Sequence, residues 1–375
     1  MSGSVGTATQ SDYSLLATLL ADSSAVRQKL DLLTNQASSG LIGSTYAGLG
    51  TGTPISLNLR PQIRNLEVWQ SNVDAATGQM SVTQAAMTQI QSIAANFYNQ
   101  LTNVEGVNAS AVDSIAASAR DALGQVAGLL DTQAGSVYVF AGQDTANPPV
   151  PDPGNILNSG YYTQISGAVA GLNLNGAALT ATTTYNQAIS NAPGTSPFSI
   201  YMSNPSATLQ AQLPTVQIGQ NATRDIGLLA SANALIPDSI PGPPAILGGP
   251  PASTGSYMRD VLRALATIGS LSSPQASVAG FQDLVQDTRM SLSGAINAMA
   301  CDVGVLGDTQ SSLATSRTQL SDTEVGLTAQ VSSAEDVDMA KTLSQLSLVQ
   351  TQLQGSYQVM AAVSGLSLVK FLPVA

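Results

Sequence analysis

The stretch LEVWQSNVDAATGQMSVTQAAMTQIQSIAANFYNQLTNV, residues 66 to 104, decides the architecture. Leu66, Val73, Met80, Met87, Ala94 and Leu101 recur at every seventh position, and Trp69, Ala76, Thr83, Ile90, Phe97 and Val104 follow them by three. Steps of three and four hold an apolar stripe on one side of an α-helix. The resulting 3.5-residue period winds that stripe around a neighbour in a left-handed supercoil. Only Thr83 interrupts it with a polar side chain. The segment predicts a long helix packed lengthwise against others.

The second half of the chain repeats the pattern. Val285, Leu292, Met299, Leu306, Leu313, Leu320 and Leu327 keep the seven-residue register without a break. From about residue 335 onward, Met339, Leu343, Leu346, Val349, Leu353, Tyr357, Met360 and Val363 make seven steps over 24 residues, close to the coiled-coil period. Leu366, Leu368 and Phe371 carry that apolar set further. Near the N-terminus Leu15, Leu19, Val26, Leu30 and Leu33 form a weaker version, ended by Gly40, Gly43, Gly48, Gly50 and Gly52 in a flexible or turn-rich connector. Another helix, over about 111–135, carries Val112, Ile115, Ala119, Leu123, Val126 and Leu130 on one face.

Fourteen of the eighteen prolines lie between Pro148 and Pro251, which leaves 1–53, 62–147 and 275–372 proline-free. Proline inside a helix removes a hydrogen bond and costs about 3 kcal/mol, so long helices are expected in those gaps. Residues 145–223 hold one charge, Asp152, and alternating runs such as Leu172-Asn173-Leu174-Asn175 and Phe198-Ser199-Ile200-Tyr201-Met202. These read as short strands and loops. Ile236 to Pro251 reads as an extended return connector. The expected fold is mainly α: a long coiled-coil-like bundle formed by the N- and C-terminal segments, with a small β-rich inserted domain. The expected division is a terminal assembly region (1–60 with 330–375), a long-helix core (61–145 with 255–329) and a variable insert (146–254). The insert is expected to be exchangeable for a short linker.

At 375 residues and a net charge of −11, with only Lys29, Lys341 and Lys370 as lysines, the chain has no basic footprint for nucleic acid. Histidine is absent, which removes the commonest general base and zinc ligand. Cys301 is the single cysteine and forms no internal disulfide; in apolar helical sequence it reads as a small packing residue. The first residues lack the pattern of a cleavable secretory signal. Glutamines at 345, 350, 352, 354 and 358 interrupt the uncharged stretch 342–369, so no segment reads as membrane-inserting.

No chemistry emerges from the motifs. No phosphate-binding loop or nucleophile elbow occurs, and the sequence nominates no catalytic, cofactor-binding or metal residue. Glu335, Asp336 and Asp338 read as first-turn acids of the final helix, capped by Ser332 or Ser333. Asp283 and Asp287, one helical turn apart, read as solvated side chains. The chain is expected not to be an enzyme.

Three local motifs add a resemblance. Gln352 to Val359 (QLQGSYQV), followed by Val363 to Leu372 (VSGLSLVKFL), resembles the ending of bacterial flagellins, and Ser333 to Met339 (SAEDVDM) is similar to the family's acidic lead-in to that helix. Tyr138 to Thr145 (YVFAGQDT), with Pro148 behind it, is similar to an element of the family members at the hook–filament junction. The resemblance spans 12–145 and 255–372, and the insert shows little of it. It implies a structural, non-enzymatic subunit of the bacterial flagellum, exported through the type III pathway and assembled outside the cell. The implied partners are copies of itself, the axial proteins hook-associated protein 1 and flagellin, and an export chaperone. The implied self-assembly residues are Leu15, Leu19, Val26, Leu30 and Leu33 with Met339, Leu343, Leu346, Val349, Leu353, Tyr357, Met360, Val363, Leu366, Leu368 and Phe371. A junction protein is favoured over a bulk filament flagellin. A type III translocator or tip protein is the remaining class, and it would need an apolar membrane hairpin.

Overall fold

The computed structural model describes residues 6–104, 109–233, 246 and 248–369. In chain order the elements are α1 (Gly6–Ser39), α2 (Thr53–Val104), α3 (Ala109–Leu130), β1 (Gln133–Ala134), β2 (Val137–Tyr138), α4 (Gly160–Ala170), α5 (Leu172–Ile189), α6 (Ser206–Gln210), β3 (Thr215–Gln217), β4 (Thr223–Asp225), α7 (Tyr257–Gly269), α8 (Phe281–Glu335) and α9 (Met339–Val369). The mainly helical bundle expected from the heptads is what forms. Helix α2 starts before Pro61 and runs through it, so that proline does not divide the chain. Its flanking residues Ser56 and Arg60 both bond Glu335 and hold the turn from which the proline removes a backbone donor.

Contacts group the chain into two units, Met1–Glu67 with Asp322–Ala375, and Val68–Ser321. In the second unit the heptads face inward. Met87, Ile90, Phe97 and Leu101 of α2 share one core with Leu123, Val126 and Leu130 of α3 and with Val285, Leu292 and Met299 of α8. Val73, Ala76 and Met80 form a further cluster with Leu306 and Leu313. Trp69 is half-buried, Thr83 is buried and donates to the Gln79 carbonyl, and Val104 lies outside the described side chains. Burial fades along α8: Leu313 is fully buried, while Leu320 and Leu327 are half-exposed.

Helix α7, which the sequence reading does not single out, is buried along its whole length and packs against α3, α4 and α5. It carries three charged residues inward. Arg263 pairs with Asp287 at 3.0 Å, each side chain 2% exposed, so Asp287 is a buried ion-pair partner and not a solvated acid. Asp260 accepts from the Ser253 hydroxyl and the Thr254 amide. Burial pushes the carboxyls of Asp260 and Asp287 up, against the pull of Arg263.

The insert departs from its sequence reading in two ways. Its only strands among the described residues are β3 and β4, an antiparallel pair in the register Val216↔Arg224, and most of its ordered structure is helical. Leu172 to Asn175 lie in the first turn of α5, where Gly176 at φ +69 marks a break, and Phe198 to Met202 lie in turns. An alternation of apolar and polar residues needs a neighbouring strand to become one, and the bonds here are local turns plus Ser199 N–H to the Pro149 carbonyl. The insert also shares its core with the long helices. Tyr161, Ile165, Val169, Leu172 and Met202 belong to the same core as Met87 and Leu123, and Val216 packs with Val73 and Leu313. The connector of Ile236 to Pro251 lies largely outside the described residues.

The segment from Tyr138 to Thr145 is held from both sides. β1 and β2 pair around Gly135, whose positive φ the tight turn requires. Ala141 bridges Leu229, and the Phe140 carbonyl accepts from Ala230 N–H at 3.0 Å. Cys301 is exposed, which overturns its packing role. Helix α8 is long and apolar enough to cross a membrane by length and composition alone, contrary to the expectation that no segment is. Its apolar residues Leu292, Met299, Leu306 and Leu313 face the core clusters just described, as in the core helix of a bundle.

Candidate assembly surface

The first unit brings the two chain ends together, with α1 packed along α9. Leu33 and Val349 are buried there, 4% and 2% exposed. Val26, Leu30, Leu346, Leu353 and Met360 are half-buried. Arg27 lies over the ring of Tyr357, 5.4 Å from its centroid, so the aromatic face is covered while its edge stays open. Met339, Leu343 and Tyr357 remain exposed. Leu15, Leu19, Val363, Leu366, Leu368 and Phe371 lie outside the described side chains.

Pairing α1 with α9 does not use up the apolar surface. Leu20 and Leu32 on α1, and Leu348 and Val359 on α9, are all half or more exposed. The sequence reading missed these four because it followed one stripe per helix. The signal was present in the Leu-rich pairs Leu19-Leu20 and Leu32-Leu33, which put apolar side chains on two faces of one helix.

The joint between α8 and α9 is built differently from its sequence reading. Glu335 ends α8 instead of opening α9, and Asp338 is the residue that caps α9, accepting from Lys341 N–H at 3.0 Å. Ser332 donates to Asp336, and Ser333 donates to the Gln330 carbonyl, so neither serine caps α9. The Glu335 carboxylate accepts from Ser56 Oγ and from Arg60 through Nε and Nη2. Those bonds, Arg60's first, hold its carboxyl below the ordinary value.

Backbone bonds tie the same joint to the glycine-rich stretch. Ile42 N–H donates to the Glu335 carbonyl at 2.6 Å, and Val337 N–H to the Gly40 carbonyl at 2.9 Å. Gly52 approaches so closely that a Cβ there would lie 2.6 Å from the Ala334 carbonyl oxygen. Of the two forms expected, flexible or turn-rich, this stretch takes the turn-rich one, a fitted loop ending in a 3-10 turn over Tyr46–Gly52. Among the described residues no three His, Cys, Asp or Glu side chains gather where a metal ion could be held.

A helical protein whose two ends pair with each other and still present apolar side chains has the form of a polymerising subunit. The chain matches the bacterial flagellin N-terminal helical region over residues 13–145 and the bacterial flagellin C-terminal helical region over residues 291–372, together more than half its length. It belongs to the bacterial flagellin family and is a structural subunit of the bacterial flagellum. No curated protein matches the chain.

Proposed function

We propose that the chain is the hook–filament junction subunit of the flagellum, in the role of hook-associated protein 3, and that it polymerises through α1 and α9. The observation that carries the assembly reading is the exposed set Leu20, Leu32, Met339, Leu343 and Leu348 on helices already packed together. Burying each of them against a neighbouring copy is worth about 1.5 to 3 kcal/mol. Of the self-assembly residues named from the sequence, from Leu15 to Leu33 and from Met339 to Phe371, Leu33 and Val349 are used within the subunit and the others join this set. The terminal region of 1–60 with 330–375 is the part that assembles.

The junction reading rests on Tyr138 to Thr145 and the Pro148 behind it. Its neighbours in the axial structure are hook-associated protein 1 on one side and flagellin on the other, with a chaperone guarding the terminal helices before type III export. Low charge and a single cysteine suit a chain that travels unfolded.

Immuno-electron microscopy of purified flagella tests the location. Label in one band at the end of the hook is expected, and label along the whole filament would assign the chain to the filament instead. Leu343→Asp and Leu348→Asp test the assembly surface. Each is expected to leave the monomer folded and abolish incorporation, and normal incorporation of both would overturn that surface.

A further inference from the structure

Arg259, near the start of α7, is a buried cation with no carboxylate in ion-pair contact among the described residues. Its side chain is nine-tenths buried, and its guanidinium lies 5.0 Å over the ring of Phe198. Nε donates to the Ser231 carbonyl at 3.0 Å, Nη1 to the Ala188 carbonyl at 2.8 Å and Nη2 to Asn191 Oδ1 at 2.6 Å. All three acceptors are neutral. A guanidinium has five N–H donors, so one on each terminal nitrogen is left without a bond among the described residues. The adjacent Asp260 favours the guanidinium's charge through space but makes no hydrogen bond to it, since its two oxygens accept from Ser253 and Thr254. Arg263, the other buried cation of α7, has its own partner in Asp287.

Arg259 also lines a cavity of about 210 Å³. The rest of the wall includes Asn191, Ser206, Gln210, Asn233 and Thr254, and no described residue in it is acidic. The Asn191 amide uses its oxygen on Arg259 and keeps its two N–H donors. The Ser206 hydroxyl, exposed at the first position of α6, has no bond among the described residues. The cavity thus brings together unused N–H donors of Arg259 and Asn191 and the free Ser206 hydroxyl.

We infer that this cavity is a binding site for a small carboxylate, seated on Arg259 with Asn191 and Ser206 as further donors. A planar carboxylate accepts two N–H groups from one guanidinium in a matched geometry, and Arg259 has one unused N–H on each terminal nitrogen. A phosphate dianion would leave a surplus negative charge in a wall that holds a single cation. The volume equals that of about seven water molecules, which suits a simple organic acid or one sugar acid.

The test is calorimetric titration of the full-length monomer with sodium acetate, sodium glucuronate, glucose and inorganic phosphate, followed by the Arg259 Nε–H resonance in nitrogen-15 spectra. Saturable binding of acetate or glucuronate with a shift of that resonance is expected, and glucose is expected not to bind. Equal affinity for the two acids would identify a simple carboxylate site, and preference for glucuronate a sugar-acid site. Ser206→Phe fills the mouth of the cavity from an exposed position, so it is expected to keep the native melt and weaken binding by about tenfold or more. Arg259→Gln is the second variant, read only if its melt shows it folded. Absence of binding by both acids would overturn the inference. So would tighter binding of phosphate than of either acid, or unchanged binding in Ser206→Phe.

Discussion

Arg60 and Glu335 stand 275 positions apart in the sequence and are joined by a two-point ion pair, Nε and Nη2 to the two carboxylate oxygens. The pair fastens the joint between α8 and α9 to the start of α2, and the backbone bonds at Ile42 and Val337 complete the clip. Arg60 is half exposed, so the pair's share of global stability is small, about 1 kcal/mol or less. Its effect is local.

Glu335→Gln is therefore expected to change the melt little while lowering hydrogen-exchange protection at Ile42 and Val337 by several-fold. A carboxyl held below its ordinary value stabilises the fold above the unfolded-state value of 4.5, and the contribution is lost as pH falls through the lowered folded-state value. Protection at both amides in the wild type should thus hold from pH 7 to pH 5 and fall only in stronger acid. Equal protection in the variant and the wild type would remove the clip.

The heptad on α8 provides an internal scale. Leu313 is fully buried and Leu327 half-exposed, although both occupy the same heptad position. Leu313→Asp and Met87→Asp are each expected to cost more than about 4 kcal/mol and to unfold or badly loosen the bundle. Leu327→Asp should cost below about 1.5 kcal/mol. Melts followed by circular dichroism check the order, and equal losses at the two leucines would contradict the burial gradient.

How much of this was legible follows from what each residue responds to. The seam from Leu66 to Leu101 and that from Val285 to Leu313 were readable, because a seven-residue apolar period has one helical meaning over that length. The fate of Asp287 and the depth of α7 were not. YMRDVLRALATIG shows charges that look solvated, and what they meet is Asp287 of α8 for Arg263, the Ser253-Thr254 turn for Asp260, and Ala188, Asn191 and Ser231 for Arg259. Leu172 to Asn175 misled because a two-residue alternation over four positions also fits a helix turn. For the assembly surface, the apolar periods at both ends were visible, but the Glu335 clip was not, since nothing local connects it to Ser56 and Arg60.

Cys301 offers a direct check of orientation. It sits on the exposed side of α8 beside Asp302, whose carboxylate accepts from the Tyr257 hydroxyl at 2.7 Å. A maleimide should label it completely without denaturant, and Cys301→Ser should leave the melting temperature within about 1 °C. Protection of the thiol until the protein unfolds would place it in the core.

Replacing residues 146–254 by a Gly/Ser linker should be costly. Loop closure itself is cheap, which is why the sequence suggests the exchange. The structure removes that option, because Tyr161, Ile165, Val169 and Leu172 would leave the core that contains Met87 and Leu123. At about 1.5 to 3 kcal/mol for each large side chain, a loss of at least about 10 °C in the melt is expected. A melt within a few degrees of the wild type would show that the bundle closes without the insert.

Asp131 predicts the pH dependence of the same unit. Its Oδ1 accepts from Val150 N–H at 2.8 Å, yet burial outweighs that bond and pushes the carboxyl up to about 6. The folded protein thus holds the Asp131 proton more tightly than the unfolded chain, whose value is 3.8. Below 3.8 the group is neutral in both states and carries no penalty. As pH rises through the window from 3.8 to about 6, ionisation costs the folded state stability, and above it the penalty is constant. Asp131→Asn keeps an acceptor for Val150 and removes the charge. The variant should melt with the wild type near pH 4 and above it at pH 7, by on the order of 2 °C because the half-exposed group is screened by solvent. Taking the difference between the two proteins at each pH cancels the other buried acids, Asp260, Asp287 and Asp302, which both share. A difference that is zero at pH 7, or that grows toward pH 4, would show that Asp131 is not the acid that burial has raised.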